Sequence, residues 1–417
     1  MRLRQPSRKG AHEAGSALPA TFWLLWSGTL LNRLGTLVPA FLSLYLTAQA
    51  RTPPGVLGIL AGCWGAGALA GALAGGALAD RVGPRGTILI SQLAAVVALL
   101  PLLTVRQPGA LAALVLLCGV SSTLHRASGT VVVSATVRAS EHVRAFGLLY
   151  WAWNIGAAVS PVVSGFLLQT SAHWLVVLNV TTALLYSAAA LRLPGSAGCG
   201  RPCENDGNEP TAGRTQVWSR ATEPFRSAPV APFLLLSFCL AAIYLQKQST
   251  LPLDMAGHGL SPRQYGLVMS LNGLLIIAAL PLVARLVKRI GSSAQFLWAA
   301  LLLAIGFGSN ALAHTPWTYA AAILVWTAGE ILLVPQASAF LVRHAPEGRV
   351  GSYQGAYFFV WNLGLVLGAP LGMAILQGWG SRALWLGCLA LGLAVAAVHG
   401  VTVLRRGRCA AQRPRTR

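Results

Sequence analysis

The chain has 417 residues, is 55% hydrophobic and only 10% charged, and has a mean hydropathy of +0.62. Soluble domains carry about 25% charged residues, so a water-soluble fold is excluded. The formal net charge of +21 would suit nucleic acid, but the bases sit between apolar stretches and no interleaved aromatic and basic pattern accompanies them.

A helix crosses a bilayer core with about 20 apolar residues, and twelve such stretches are predicted. Spans 1 to 6 cover 20–46, 55–78, 87–105, 109–136, 145–169 and 173–192; spans 7 to 12 cover 231–253, 264–286, 293–313, 317–342, 351–376 and 382–404. Span 1 is too long for a signal peptide and lacks a convincing small-residue cleavage site, so it reads as a membrane helix. Between them the polar residues 193–230, with Pro194, Pro202, Pro210, Pro224 and Pro229, predict a linker. The expected organisation is a basic arm (1–19), a six-helix bundle (20–192), the linker (193–230), a second bundle (231–404) and a basic tail (405–417).

Lys and Arg sort by side. The arm, the tail, the linker with its flank and the 2–3, 4–5, 8–9 and 10–11 loops hold 24 of the 31 bases. The opposite face has Arg51, Arg106, Arg263 and Arg382. Under the positive-inside rule this places both termini in the cytoplasm. The excess of Arg over Lys, with abundant Ala and Gly, hints at a bacterial source and hence an inner membrane. The partners expected are the lipid bilayer, a small-molecule substrate and protons, with no nucleic acid, and the chain is expected to be a monomer.

The halves repeat. Trp153-Asn154-Ile155-Gly156 recurs 208 residues later as Trp361-Asn362-Leu363-Gly364, and the same shift carries Gly58 onto Gly266, Gly83 onto Gly291 and Gly147 onto Gly355. A duplicated six-helix membrane unit marks transporters whose site lies between two halves.

The end of span 2 and the 2–3 loop read Gly76-Ala77-Leu78-Ala79-Asp80-Arg81-Val82-Gly83-Pro84-Arg85. This resembles the cytoplasmic-loop motif of the major facilitator superfamily, G-x-L-x-D-R-x-G-R-[RK], with Pro84 replacing the first base of the pair. The second-half counterpart, Ala284-x-x-x-Lys288-Arg289-Ile290-Gly291, keeps the turn and loses the acid. Span 5 reads Gly147-(x8)-Gly156-(x3)-Ser160-Pro161-(x2)-Ser164-Gly165. It is similar to the antiporter motif of that superfamily's drug–proton exchangers, with serine at two glycine positions. Small residues at this spacing let helices approach backbone to backbone.

The resemblance covers the whole chain and is nearest to the bacterial drug-exporter-like and sugar-exporter-like branch. It implies an all-α membrane fold, twelve transmembrane helices in two bundles related by a pseudo-twofold, and proton-coupled export by alternating access. It further implies that Asp80, Arg81, Gly83 and Arg85 gate the cytoplasmic side, and that Gly147, Gly156, Ser160, Pro161 and Gly165 pack helices. The energy source is the proton gradient, with no cofactor and no metal. Cys199 and Cys203 form one C-x3-C pair without the further ligands a zinc site needs.

Charges inside spans are the sharpest functional signal, because a base at mid-bilayer costs about 2.5–3.5 kcal/mol unless it faces protein or water. They are Arg33, Arg126, Lys247 and Glu330, on spans 1, 4, 7 and 10, the first helices of the four three-helix repeats. They are the candidate substrate and proton site, with Asn32 and Gln246 beside them. Tyr45, His125, Tyr244, Gln248 and Gln336 are further cavity candidates. Glu330, the one carboxylate well inside a span, is the candidate proton carrier. The alternative is that Glu330 pairs structurally with Arg126 or Lys247. Asp254 reads as an exposed acid at the end of span 7. Trp23, Trp26, Trp174, Trp317 and Trp379 read as interfacial, whereas Trp151, Trp153, Trp326 and Trp361 read as deeper. Three bases against one acid favour an anionic or neutral polar substrate over a lipophilic cation.

Other classes are not supported. No Walker lysine loop, H-E-x-x-H or serine–histidine–acid arrangement points to a pump or an enzyme. Import of a small solute, such as a sugar or organic acid, and a non-transporting sensor on the same scaffold are the alternatives.

Overall fold

The computed structural model describes residues 18–35, 44, 54–138, 141–193, 222–286, 290–346 and 349–411. The expected arm, the far end of span 1 with Tyr45, most of the linker with Cys199 and Cys203, Lys288, Arg289 and the end of the tail lie outside these residues. Everything described is helix or short connection. Among the described residues nine helical segments are long and apolar enough to cross a membrane, and one of them, Ser352–Val403, runs through both spans 11 and 12. Spans 1 and 8 are helical over Ala20–Gly35 and Pro262–Leu286.

Two predicted loops shrink to single glycines. Residues Pro54–Leu102 form one helical run broken only at Gly83 (φ 78°, ψ 167°), and Val350–Ala411 breaks only at Gly380 (φ 83°, ψ 174°). Left-handed φ is cheap for glycine alone, so the loop motif's Gly83 is the turn itself. Elsewhere the ends are capped. Thr315 and Thr318 form a capping box at Pro316–His344, and the Ser171 hydroxyl accepts from the His173 N–H at the start of Ala172–Leu191.

Two helices are interrupted in mid-membrane. Span 4 consists of Pro108–Leu124 and Arg126–Thr136, with His125 between them. Span 7 consists of Val230–Tyr244, Gln246–Ser249 and Leu251–Gly257, with Leu245 and Thr250 as the joints. The break in span 4 falls immediately before Arg126, and the first break in span 7 falls two residues before Lys247. Broken helices at membrane depth are tolerated where they line a cavity.

The 208-residue repeat is built into the interface between the halves. A Cβ on Gly58 would sit 2.8 Å from Met373 Cβ and 3.2 Å from Pro370 Cα, while one on Gly266 would meet the Pro161 carbonyl and Gly165 Cα. Gly65 faces Val366 N at 3.1 Å, and Gly273 faces Ala158 N at 2.6 Å. Adding 208 to 58, 65, 158 and 165 gives 266, 273, 366 and 373, so span 2 on span 11 and span 8 on span 5 are one contact made twice. The Asn of each Trp-Asn-x-Gly string behaves alike: Asn154 Nδ2 donates to the Tyr150 carbonyl and Asn362 Nδ2 to the Phe358 carbonyl, both at 2.8 Å. Gly156 abuts Arg33 on span 1, and Gly364 abuts Ala241 on span 7, again 208 apart.

These contacts lie in the halves of the helices remote from the basic loops. Toward the basic loops the repeat-related pair Gly147 and Gly355 have nothing within 4 Å. The close glycine contacts between the bundles therefore lie on the side remote from the basic loops.

The tryptophans divide differently from expectation. Trp23, Trp174, Trp317 and Trp379 are exposed, the last two at 81% and 76%, as suits a membrane interface. Trp26 is instead packed inside, its Nε1–H donating to the Leu148 carbonyl at 2.8 Å. Trp151, read as deep, is 41% exposed and is not among the residues lining the cavity between the halves.

Candidate functional site

Between the halves lies a cavity of about 350 Å³. From the first half come Arg33, Arg126 and the span 5 residues Gly156, Ser160 and Pro161; the second half gives Lys247, Gln248, Asn272, Trp361 and Asn362. Three of the four in-span charges thus open onto one space. No acidic side chain is among its lining residues.

On the first-half wall both arginines lie over one indole. Arg33 Cζ is 4.4 Å and Arg126 Cζ 4.3 Å from the Trp153 ring centroid. Each contact offers about 0.5–2 kcal/mol and uses the ring face rather than a hydrogen-bond acceptor. Two like charges on one ring repel, so the arrangement is held by the surrounding packing rather than by charge. Behind them a smaller polar recess holds Asn32 and His125. His125 is buried, with Nδ1 3.2 Å from Ser91 Oγ and Nε2 3.5 Å from Asn32 Nδ2.

On the second-half wall Glu330 sits one layer behind the cavity surface. Tyr244 Oη donates to Glu330 Oε1 at 2.5 Å, and Asn272 Nδ2 donates to Oε2 at 2.8 Å and to Thr327 Oγ1 at 3.0 Å. Lys247 Nζ donates to the same Tyr244 hydroxyl and lies 3.8 Å from the Tyr244 ring centroid and 5.0 Å from that of Trp326. Among the described residues Glu330 forms no direct ion pair with Arg126 or Lys247. In place of the alternative pairing stands a relay, lysine to tyrosine to carboxylate. Tyr244 was one cavity candidate among several, and its position as the bridge was not foreseen.

Two expectations are corrected. Gln246 does not line the cavity: its amide donates to the Gly368 and Ala242 carbonyls at 2.8 and 3.0 Å and accepts from Ser249 and Thr250. It bolts broken span 7 to span 11, packing against Gly372. Asp254 is not exposed but 4% accessible, accepting from Tyr319 Oη at 2.7 Å and Trp385 Nε1 at 3.0 Å, with His258 Nδ1 3.7 Å away. Asp254→Ala strands the Trp385 donor, which costs about 1–3 kcal/mol. Its thermal midpoint in detergent is expected to fall, and that of Asp254→Asn, which keeps an acceptor, to fall less.

The remaining predicted residues are placed as follows. Gly156 approaches Arg33, Gly165 lies 2.5 Å from the Pro262 carbonyl as a Cβ would see it, and Ser160 and Ser164 are buried. Arg81 is exposed and Arg85 half-buried beside the turn at Gly83, at the end of span 2 that carries the basic loop. Gln336 is buried against Ser292, away from the cavity.

A polytopic helical membrane protein with a charged midplane cavity between two repeated halves belongs to the class of transporters that expose one site alternately to either side. Residues 25–364 and 248–415 match the model of the Major Facilitator Superfamily, and the chain belongs to that superfamily. It is 25% identical over 329 residues, 78% of this chain and 80% of the relative, to the uncharacterized MFS-type transporter YttB of Bacillus subtilis (strain 168). It is 22% identical over 357 residues, 84% and 85% of the two chains, to the uncharacterized MFS-type transporter YqjV of the same organism. Its fold superposes on the nucleoside transporter NupG with a TM-score of 0.77 at 15% identity, covering 92% of this chain and 99% of that one. On the peptide transporter POT the TM-score is 0.75 at 16% identity, covering 94% and 95%. The chain is a multi-pass membrane transporter of the major facilitator type.

Proposed function

We propose that this transporter is a proton-coupled exporter of a small organic molecule, working in a bacterial cytoplasmic membrane with both termini inside. The observation that carries the reading is the juxtaposition of a charged cavity with a carboxyl group one hydrogen bond behind its wall. The two bundles, 20–192 and 231–404, rock about the span 2–11 and span 5–8 contacts, and the linker 193–230 ties them. Arg33, Arg126 and Lys247 hold the cargo, and Asn32 supports Arg33's wall through His125. Glu330 exchanges the proton. Asp80, Arg81, Gly83 and Arg85 close the cytoplasmic side when the cavity faces out. The resemblance of span 5 to an antiporter motif supports export.

The coupling has a physical route. With Glu330 ionised, Tyr244 and Asn272 both point their hydrogens at it, and Lys247 shares the Tyr244 hydroxyl. A proton arriving on Glu330 removes the charge that holds this set together, and Lys247 is released from Tyr244.

The same relay favours import as a second reading. A protonated Glu330 leaves Lys247 without the carboxylate it reaches through Tyr244, and this strengthens the cavity's hold on a negatively charged group. A proton and such a cargo then bind together, and by linkage each raises the other's affinity. That is co-transport.

Vesicles separate the two. In everted vesicles with an acid interior, adding an exported substrate outside should collapse the pH gradient, and Glu330→Gln should not do so. In right-side-out vesicles a co-transported substrate should instead draw protons in from the medium. Gradient collapse that persists unchanged in Glu330→Gln would remove this residue as the proton carrier.

A further inference from the structure

We infer that the cargo is an organic anion, its carboxylate, sulfonate or phosphate seated between the guanidinium groups of Arg33 and Arg126 and facing Lys247 across the cavity. The inference deepens the transporter reading by naming a substrate class, and its binding test does not depend on flux.

Arg33, Arg126 and Lys247 line one cavity of about 350 Å³ without an acid on its walls. The described ion pairs lie elsewhere: Arg144–Glu141, His258–Asp254 and Arg349–Glu223. Neither arginine of the cavity has a hydrogen-bonded or ionic partner among the described residues, and each guanidinium lies over the Trp153 ring. A charge drawn partly out of water without a partner is costly. The nearest carboxylate, Glu330, is committed to Tyr244 and Asn272 and reaches only Lys247, through a hydroxyl. The charge left over at the arginine pair is therefore positive and faces the cavity.

Geometry agrees with charge. Guanidinium groups bind planar or tetrahedral oxyanions through paired N–H bonds, and both guanidinium carbons lie within 4.4 Å of the Trp153 centroid with no protein hydrogen bond among the described residues using their N–H groups. The lining also offers apolar and aromatic surface at Trp64, Leu245, Met269, Phe358, Trp361 and Leu365, beside polar groups that include Ser122, Thr123, Gln248, Asn272 and Asn362. Phe358 is 56% exposed, an open aromatic surface suited to a flat, apolar body. The volume lies at the small end of ligand pockets, which run about 300–1,000 Å³. A compact aromatic acid matches both the charged end and the apolar end.

The test is calorimetric titration of the purified full-length protein in detergent with four compounds sharing one ring system. They are 1-naphthoate, 2-naphthalenesulfonate, 1-naphthamide and 1-naphthylmethylammonium. The two anions are expected to bind, and the amide and the cation are not. Arg126→Gln and Arg33→Gln should each weaken the anions by about 10- to 100-fold, the worth of a hydrogen bond to a charged group. Arg126→Lys, which keeps the charge and loses the fork, should fall between wild type and Arg126→Gln. Arg263→Gln removes a guanidinium that lies over Phe166 outside the cavity and should change nothing, which separates a local loss from one of net charge. Each variant is first required to elute as a monodisperse peak.

Binding of the amide or cation as tight as that of the anions overturns the inference. So does indifference of the anions to Arg126→Gln, or no anion binding at about 10 mM, weaker than the ~1 mM that corresponds to about −4 kcal/mol. Anion binding without flux in proteoliposomes would leave the site standing and sink the transport reading. Flux of a neutral compound untouched by the anions would do the reverse.

Discussion

Gly71→Leu is expected to abolish recovery of folded protein, whereas Gly76→Leu, five residues further on the same helix, is expected to be tolerated. Gly67, Gly71 and Gly75 repeat every four residues and form one stripe of span 2. Opposite them on span 4 stand Leu116, Val120 and Leu124, also four apart, and a Cβ on each glycine would collide with the carbonyl of its partner. Gly119 returns the contact against the Trp64 carbonyl, and Thr123 Oγ1 donates to the Ala68 carbonyl at 2.6 Å. Backbone meets backbone along this whole seam. Lipid tails supply no hydrophobic drive between helices, so association in the membrane rests on such close packing. A leucine at Gly71 cannot relax by moving a flexible neighbour, because the neighbour is main chain. It must part the helices and forfeit the seam, a cost at or above the ~1–3 kcal/mol of ordinary overpacking. Gly76 has nothing within 4 Å. Size-exclusion profiles and thermal melts in detergent decide. Equal behaviour of the two variants would show that the seam does not hold the first half together.

The fold was legible because duplication and membrane thickness both leave periodic marks. The 208-residue shift picked out Gly58 and Gly266, and these are the residues at which each half touches the other. The Trp-Asn-x-Gly strings predicted equivalence, and the structure gives both asparagines the same i−4 carbonyl and both glycines equivalent neighbours. Of the four in-span charges, Arg33, Arg126 and Lys247 reach the cavity, since burying a base against lipid is too costly to be accidental. Other features could not be read. The first part of span 7, Val230–Tyr244, is apolar all round and marks no inward face, and whether Gln246 or Gln248 meets the cavity depends on the breaks at Leu245 and Thr250. Gln248 does; Gln246 turns to the Gly368 carbonyl. The burial of Asp254 depends on Tyr319 and Trp385, 65 and 131 residues away, partners that no local pattern announces. The glycine stripe at 67, 71 and 75 was available in the sequence as a spacing of four, but it was hidden among 45 glycines.

Gly266→Leu is expected to leave the protein folded and stop it working. Gly266 differs from Gly71 in what it touches: its contact is with Pro161 and Gly165 of the other half, not with its own bundle. Each half has apolar packing of its own; Phe22, Val133 and Tyr186 belong to a buried cluster in the first half, and Phe296, Phe307 and Trp385 are buried in the second. The added side chain therefore acts on the state in which the halves meet on the side remote from the basic loops. Overpacking by ~1–3 kcal/mol shifts such an equilibrium by about 5- to 150-fold toward the arrangement in which that side opens. The repeat supplies an internal control, since Gly58→Leu raises the same obstacle against Pro370 and Met373 at the related contact and should produce the same phenotype. Flux in proteoliposomes measures the loss. Labelling of a cysteine placed at cavity residue 365, in a background without other cysteines, by an impermeant maleimide measures the shift. Reagent on the side remote from the basic loops should react faster in both glycine variants than in their parent. Unchanged labelling with lost flux would mean that the leucine damages the site rather than the equilibrium. Wild-type flux in both variants would mean that the halves do not rock about these contacts.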